Sequence, residues 1–296
     1  MTTSAQLLSA AVVATFVGGA AAASAQTVSG QFALGGKPLK PTHVAAFRMR
    51  DTRAPRTMQT YVMLTLTAVD AATIGAAIDP YALAINDQAV READYIGLHI
   101  NADGQTTINT HSGGTQYMDS SGMVMGQQGS LVATCKENTA ERIACTVKTA
   151  KPVKPIDGPS WTLDVTFAAP ITTRAPGQPL PPDGGPAGQA LLALVKAVSG
   201  GNLANIVALL TPNEAKGYQE SYNSSAENLR SAKDVLGVRL PKQPKITGGE
   251  LLAPDHAVLE VEGMPFPESR TLYLVEMRLN GGRWQYDNSV PAGRLR

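Results

Sequence analysis

Residues 174–188 read RAPGQPLPPDGGPAG, a stretch in which five prolines remove backbone donors and four glycines offer no side chain to a core. Such a segment is predicted to be extended and solvated, and to separate units that bury their own apolar surface. It divides the chain into residues 26–174, a linker at 175–188, and residues 189–296, each unit long enough for a core of its own.

Upstream of the linker, short runs rich in β-branched and aromatic residues lie at 44–49, 61–69, 95–101, 105–110, 131–135, 143–147 and 161–167. Turn residues separate them, with Gly35-Gly36 and Asp103-Gly104 suited to tight turns because glycine supplies positive φ cheaply. The pattern predicts an all-β antiparallel sandwich or open barrel. Cys135 and Cys145 are the chain's two cysteines. A hairpin centred on Ala140 sets them opposite each other, so a disulfide is expected, and with it an oxidising compartment.

Downstream the period changes. Residues 189–198 have helical spacing and stop at Gly200-Gly201, and Asn202 begins a second helix running to Leu210. Thr211-Pro212-Asn213-Glu214 reads as a capping box with proline at the first helical position, and Ser224 with Glu227 repeats the box before a fourth helix ending near Gly237. Strands follow at 246–252, 257–262, 271–279 and 283–288, with turns at Pro254-Asp255 and Asn280-Gly281-Gly282. Helices followed by strands predict an α+β unit.

Two pieces of this second unit, GGNLANIVALLTP at 200–212 and the closing hairpin LYLVEMRLNGGRWQYD at 272–287, resemble nuclear-transport-factor-2-like domains. The resemblance implies a cone, a curved sheet wrapped on helices around a pocket. It implies no single function, because that fold carries isomerases, dehydratases and non-catalytic modules. Strand alternation puts Tyr273, Val275 and Met277 on one face, and Trp284 with Tyr286 on one face. The candidate ligand-binding residues are therefore Tyr273, Met277, Trp284 and Tyr286, the alternative being that these side chains fill the cone. The stretches GQFALGGKPLKPTHVAAF and WTLDVTFAAPI resemble uncharacterised secreted bacterial β-rich domains, which implies no activity.

The chain starts with an apolar, alanine-rich run at 7–23, followed by Ala23-Ser24-Ala25. This predicts a signal peptide over residues 1–25, cut after Ala25, although the first six residues lack the usual Lys or Arg. Export to the periplasm or outside the cell is expected, with no stable membrane span after cleavage. A net charge of +1 without a Lys/Arg run gives no reason to expect nucleic acid as a partner.

No catalytic set, metal site or cofactor is expected from the residues. A two-residue Asp103-Gly104 turn would pair Ala102 with Gln105 and put His99 and His111 on opposite faces, whereas a three-residue turn would restore them to one face. His256 sits at the edge of a turn. Residues 113–129, glycine-rich and carrying Met118, Met123 and Met125, read as a long mobile loop able to cover a ligand. Three readings follow. The first is a non-catalytic envelope protein that binds a small ligand or an envelope partner. The second is an isomerase or hydrolase of the nuclear-transport-factor-2-like kind, using Glu260, Glu262 or Arg278. The third is a structural module that forms a homodimer.

Overall fold

The computed structural model describes residues 26–295 except 87–89, 91–92, 113, 125–126, 155–157, 202, 221–235, 237–238 and 267–268. The signal peptide expected at 1–25, the Asn202 cap and the helix expected from Ser224 and Glu227 lie outside the described residues. The protein is mostly β, with one sheet curled into a half-barrel and a second sheet after it.

The first sheet is built from β1 (Thr27–Leu34), β2 (Lys37–Leu39), β3 (His43–Asp51), β4 (Ala54–Thr65), β5 (Tyr95–Ile100), β6 (Thr106–Ser112) and β7 (Thr115–Ser120). After the two-residue strands β8 (Met123–Val124) and β9 (Gln127–Gln128), which pair with each other, it is completed by β10 (Leu131–Asn138), β11 (Arg142–Thr149) and β12 (Trp161–Thr172). The order is β10-β11-β12-β3-β4-β5-β6-β7, with β1 and β2 added along β12. Gly35 and Gly36, at φ of 53° and 82°, make the β1–β2 turn, as their residue type requires. One pairing departs from the antiparallel expectation: the end of β12 runs parallel to β3, with Ile171 opposite Ala46.

Alternation fills the inside of the curl. Leu163, Val165, Phe167 and Ala169 of β12 point inward and meet Val62, Leu64, Ile96 and Leu98 from the far wall. Phe32 spans the interior, its ring 5.8 Å from that of Tyr117 and 5.5 Å from that of Trp161. Cys135 and Cys145 are directly opposed on β10 and β11 and joined by a disulfide. That bond agrees with an oxidising compartment.

Residues 59–65 of β4 are buried on both faces, so a second layer must cover the outside. Two helices not expected from the sequence pattern provide it, α1 (Ala71–Ala76) and α2 (Pro80–Asn86). Asp70 caps the first by accepting from the Thr73 N–H at 3.1 Å, and Asp79 accepts from the Ala82 N–H at 2.9 Å with Pro80 behind it. Their apolar residues pack on Ala45, Phe47, Tyr61 and Met63. The expected loop at 113–129 is a strand in its first part, because β7 pairs with β6 from Thr107↔Ser120 to Ser112↔Thr115.

The first part of the linker is extended but docked, and from Gly185 onward its last four residues already form the start of a helix. Within it β13 (Gln178–Pro179) adds an edge strand, the Gly177 N–H donates to Glu250 at 2.7 Å, and Arg174 pairs with the same carboxylate. The chain continues with α3 (Gly185–Gly200), α4 (Leu203–Val207), α5 (Pro212–Glu220), β14 (Lys245–Ala253), β15 (His256–Phe266), β16 (Ser269–Asn280) and β17 (Arg283–Arg294). Strands β13 to β17 lie side by side in chain order. Leu191, Leu194 and Val198 form the buried stripe of α3, which packs on Leu259, Val275 and Met277 of the sheet.

Arginines of the first unit meet carboxylates on the outer face of the second sheet. Arg50 pairs with Glu260, and Arg56 reaches Glu262 at 2.5 Å. The Arg294 N–H also donates to the Thr52 carbonyl at 3.4 Å, where a Cβ on Gly293 would come within 2.4 Å of that oxygen.

Candidate functional site

Residues directly opposed across a sheet share a face, so register identifies what lies under and beside α2. One row on the outer face runs Phe47, Tyr61, His99, Thr107, Ser120, and the next runs Ala45, Met63, Gly97, Asn109, Met118. The first half of each row is apolar or aromatic and mostly covered by the helices. Toward β6 and β7 the helical cover ends and the rows turn polar. A cleft of about 290 Å³ opens there, with Tyr81 of α2, His99, Thr107, Asn109 and Met118 among its walls. Its size is near the lower end for small-molecule pockets.

Gly97 makes the floor possible. A Cβ there would lie 2.7 Å from the Asn109 carbonyl oxygen and 2.8 Å from the Tyr61 hydroxyl, so only a bare Cα lets the Tyr61 ring lie across β5. Tyr61, Tyr81 and His99 cluster on this floor, with ring centroids 4.8 to 5.1 Å apart. Asn109 Nδ2 donates to the Tyr81 hydroxyl at 2.7 Å. The other end of that amide is the notable one: Asn109 is 8% exposed, yet its Oδ1 has no hydrogen-bond partner among the described residues. An unpaired buried acceptor costs about 1–3 kcal/mol.

Burial drives the His99 imidazole down to about 4, with nearby Arg53 acting in the same direction and Asp51 against it. His99 is therefore neutral at physiological pH and offers one donor and one acceptor. At the mouth the Arg53 N–H donates to Asp51 Oδ1 at 2.8 Å, and the Gln105 N–H donates to Asn101 Oδ1 at 2.8 Å. A second depression, about 600 Å³, shares Asp51, Arg53, Asn101 and Gln105 with the cleft and extends it toward Arg56 and Arg294. A third, about 460 Å³, lies between the two sheets, where Arg50 and Arg174 are paired with Glu260 and Glu250.

Tyr273, Met277 and Tyr286 are 4%, 0% and 0% exposed, and Trp284 packs against the same cluster under α3. None of the four lines any of these three depressions. The Tyr286 hydroxyl donates to Ser289 at 2.9 Å, and burial pushes its pKa up to about 12. Glu262 bonds Arg56 and Arg270, Arg278 lies 3.5 Å from Asp287, and His256 lies 3.3 Å from Glu276.

The hairpin register differs from the two-residue turn. Asn101 closes on Gln105 through a three-residue loop with Gly104 at φ of 77°, and His99 lies opposite Thr107. His99 and His111 thus share a face, but four residues along a strand hold them about 13 Å apart. Among the described residues no group of three or more His, Cys, Asp and Glu converges as a metal site. Met118 stands on β7 at the rim of the cleft, 67% exposed, while the side chains of Met123 and Met125 lie outside what is described.

Two signals could have pointed here. A glycine inside the apolar strand YIGLHI marks a close approach, and Asp79-Pro80 marks the helix that brings Tyr81 over it. No protein-family model matches the chain, and no curated protein is significantly similar to it.

Proposed function

We propose that this chain is an exported envelope protein that binds a small ligand, without transforming it, in the cleft on the outer face of its first sheet. The observation that carries the reading is Asn109: a nine-tenths buried amide on the wall of an open cleft, with its acceptor oxygen left unpaired by every described residue. A ligand that donates to that oxygen recovers the desolvation already incurred. Export rests on the sequence of residues 1–25 and agrees with the disulfide.

In this reading residues 26–174 and 189–296 are two domains, and the second is nuclear-transport-factor-2-like, supported by its order of helices before a sheet folded over them. Its inner face is filled by Tyr273, Met277 and Tyr286, and Glu260 and Glu262 are held by arginines. That favours a supporting or partner-contacting role for this domain over isomerase or hydrolase chemistry.

The test is a small-molecule fragment screen on the chain from Gln26 onward, read by NMR. Shifts clustered on Tyr81, His99 and Asn109 support the proposal; hits that cluster elsewhere, or no hits, count against it.

A further inference from the structure

We infer that the ligand of this cleft is a neutral saccharide, bound with one ring against Tyr81 and Asn109 and the rest of the chain toward Arg53; the inference rests on the cleft being the binding site. Charge narrows the class first. Among the described residues, Asp51 and Arg53 are the charged side chains on the inner cleft, and they cancel. The outer depression adds Asp103 and Arg294, which also balance, and Arg56, which shares the Glu262 carboxylate with Arg270, so the inner cleft around Asn109 is the part with no surplus of either sign. A phosphate or carboxylate ligand would need a surplus of cations, and an ammonium ligand a surplus of carboxylates. An apolar ligand would leave Asn109 Oδ1 buried and unpaired.

Hydrogen-bonding capacity narrows it further. The Tyr81 hydroxyl accepts from Asn109 and keeps its own proton to donate, beside an Asn109 Oδ1 that can only accept. A ligand hydroxyl answers both at once, donating to Asn109 and accepting from Tyr81. Gln59, Gln105 and Thr107 repeat the mixed pattern around the wall, and neutral His99 adds another donor and acceptor. Such alternation suits a ligand whose every polar group both donates and accepts. The aromatic rings and the Met49 and Met118 thioethers supply the apolar surface against which the C–H face of a pyranose packs. Shared walls between the two depressions give room for more than one ring.

The experiment titrates the chain from Gln26 onward with maltotriose, cellotriose and chitotriose, and with triglutamate and trilysine as charged probes, following the resonances of His99 and Asn109. At least one trisaccharide is expected to move them saturably, with both peptides silent. Asn109→Leu should weaken binding about tenfold, the loss of one well-made hydrogen bond. Met118→Ala, at an exposed position that cannot threaten folding, should weaken it about threefold. Peptides that move these resonances while the sugars do not would overturn the saccharide assignment and leave the cleft as the site. Silence from all five probes would overturn both, and sugar binding unaffected by either substitution would overturn the assignment of the ring to this wall.

Discussion

Acidification from about pH 7 to about pH 5 perturbs the cleft through one group. His99 has a folded-state pKa of about 4 because burial disfavours its charged form. In the unfolded chain it titrates near about 6.5. Above that value both states are neutral and the group is silent. Between about 6.5 and about 4 the unfolded chain takes up a proton that the folded chain refuses, so stability falls by up to about 1.4 kcal/mol per pH unit. Integrated to about pH 5 the loss is about 2 kcal/mol, and it levels off near 3 kcal/mol below about pH 4. Urea unfolding of the wild type and of His99→Gln at each pH isolates the contribution, since carboxylates such as Glu250, held low by Arg174, titrate in both proteins. The loss over this window should be smaller in His99→Gln by about 2 kcal/mol. Equal pH dependence in the two proteins would refute the reasoning, as would a His99 C2–H resonance titrating near its free value.

Three further outcomes follow from the packing. Replacing Cys135 and Cys145 together by Ser should lower stability by about 2.5 to 3 kcal/mol, the loop-closure entropy of an eleven-residue ring, measured by denaturant titration. Gly97→Ala should destabilise by about 1–3 kcal/mol and move the Tyr61 and Asn109 resonances, because the new methyl meets both residues inside 3 Å. Glu262 has a side chain only 7% exposed while Arg56 and Arg270 are 67% and 56% exposed. Arg56→Ala combined with Arg270→Ala should therefore cost about 3 kcal/mol by stranding a buried carboxylate, and Glu262→Gln markedly less, as thermal unfolding would show.

Much of the β architecture was legible because its signals are local. Alternation in β12, the glycine pairs at 35–36 and 281–282 and the opposed cysteines depend on residues a few positions apart. The cleft was not legible in the same way. Its walls come from β3, β4, β5, β6, β7 and α2, and the loop that decides which face His99 occupies differs by one residue between the two registers. The four candidate residues of the second unit share a face, as alternation requires, but alternation cannot say whether a face meets a void or a helix. Here α3 lies against it.

By itself the sequence determined the strand-rich first unit, the helices-then-strands order of the second, the Cys135–Cys145 bridge and the likeness of residues 1–25 to a signal peptide, since each is written in short-range periodicity or composition. Only the tertiary structure decided that the linker is docked on Glu250, that arginines of one unit meet glutamates of the other, and that Asn109 is buried with an unspent oxygen beside Tyr81. Those facts depend on which distant segments come together, and hence on which polar atoms lose water without gaining a partner.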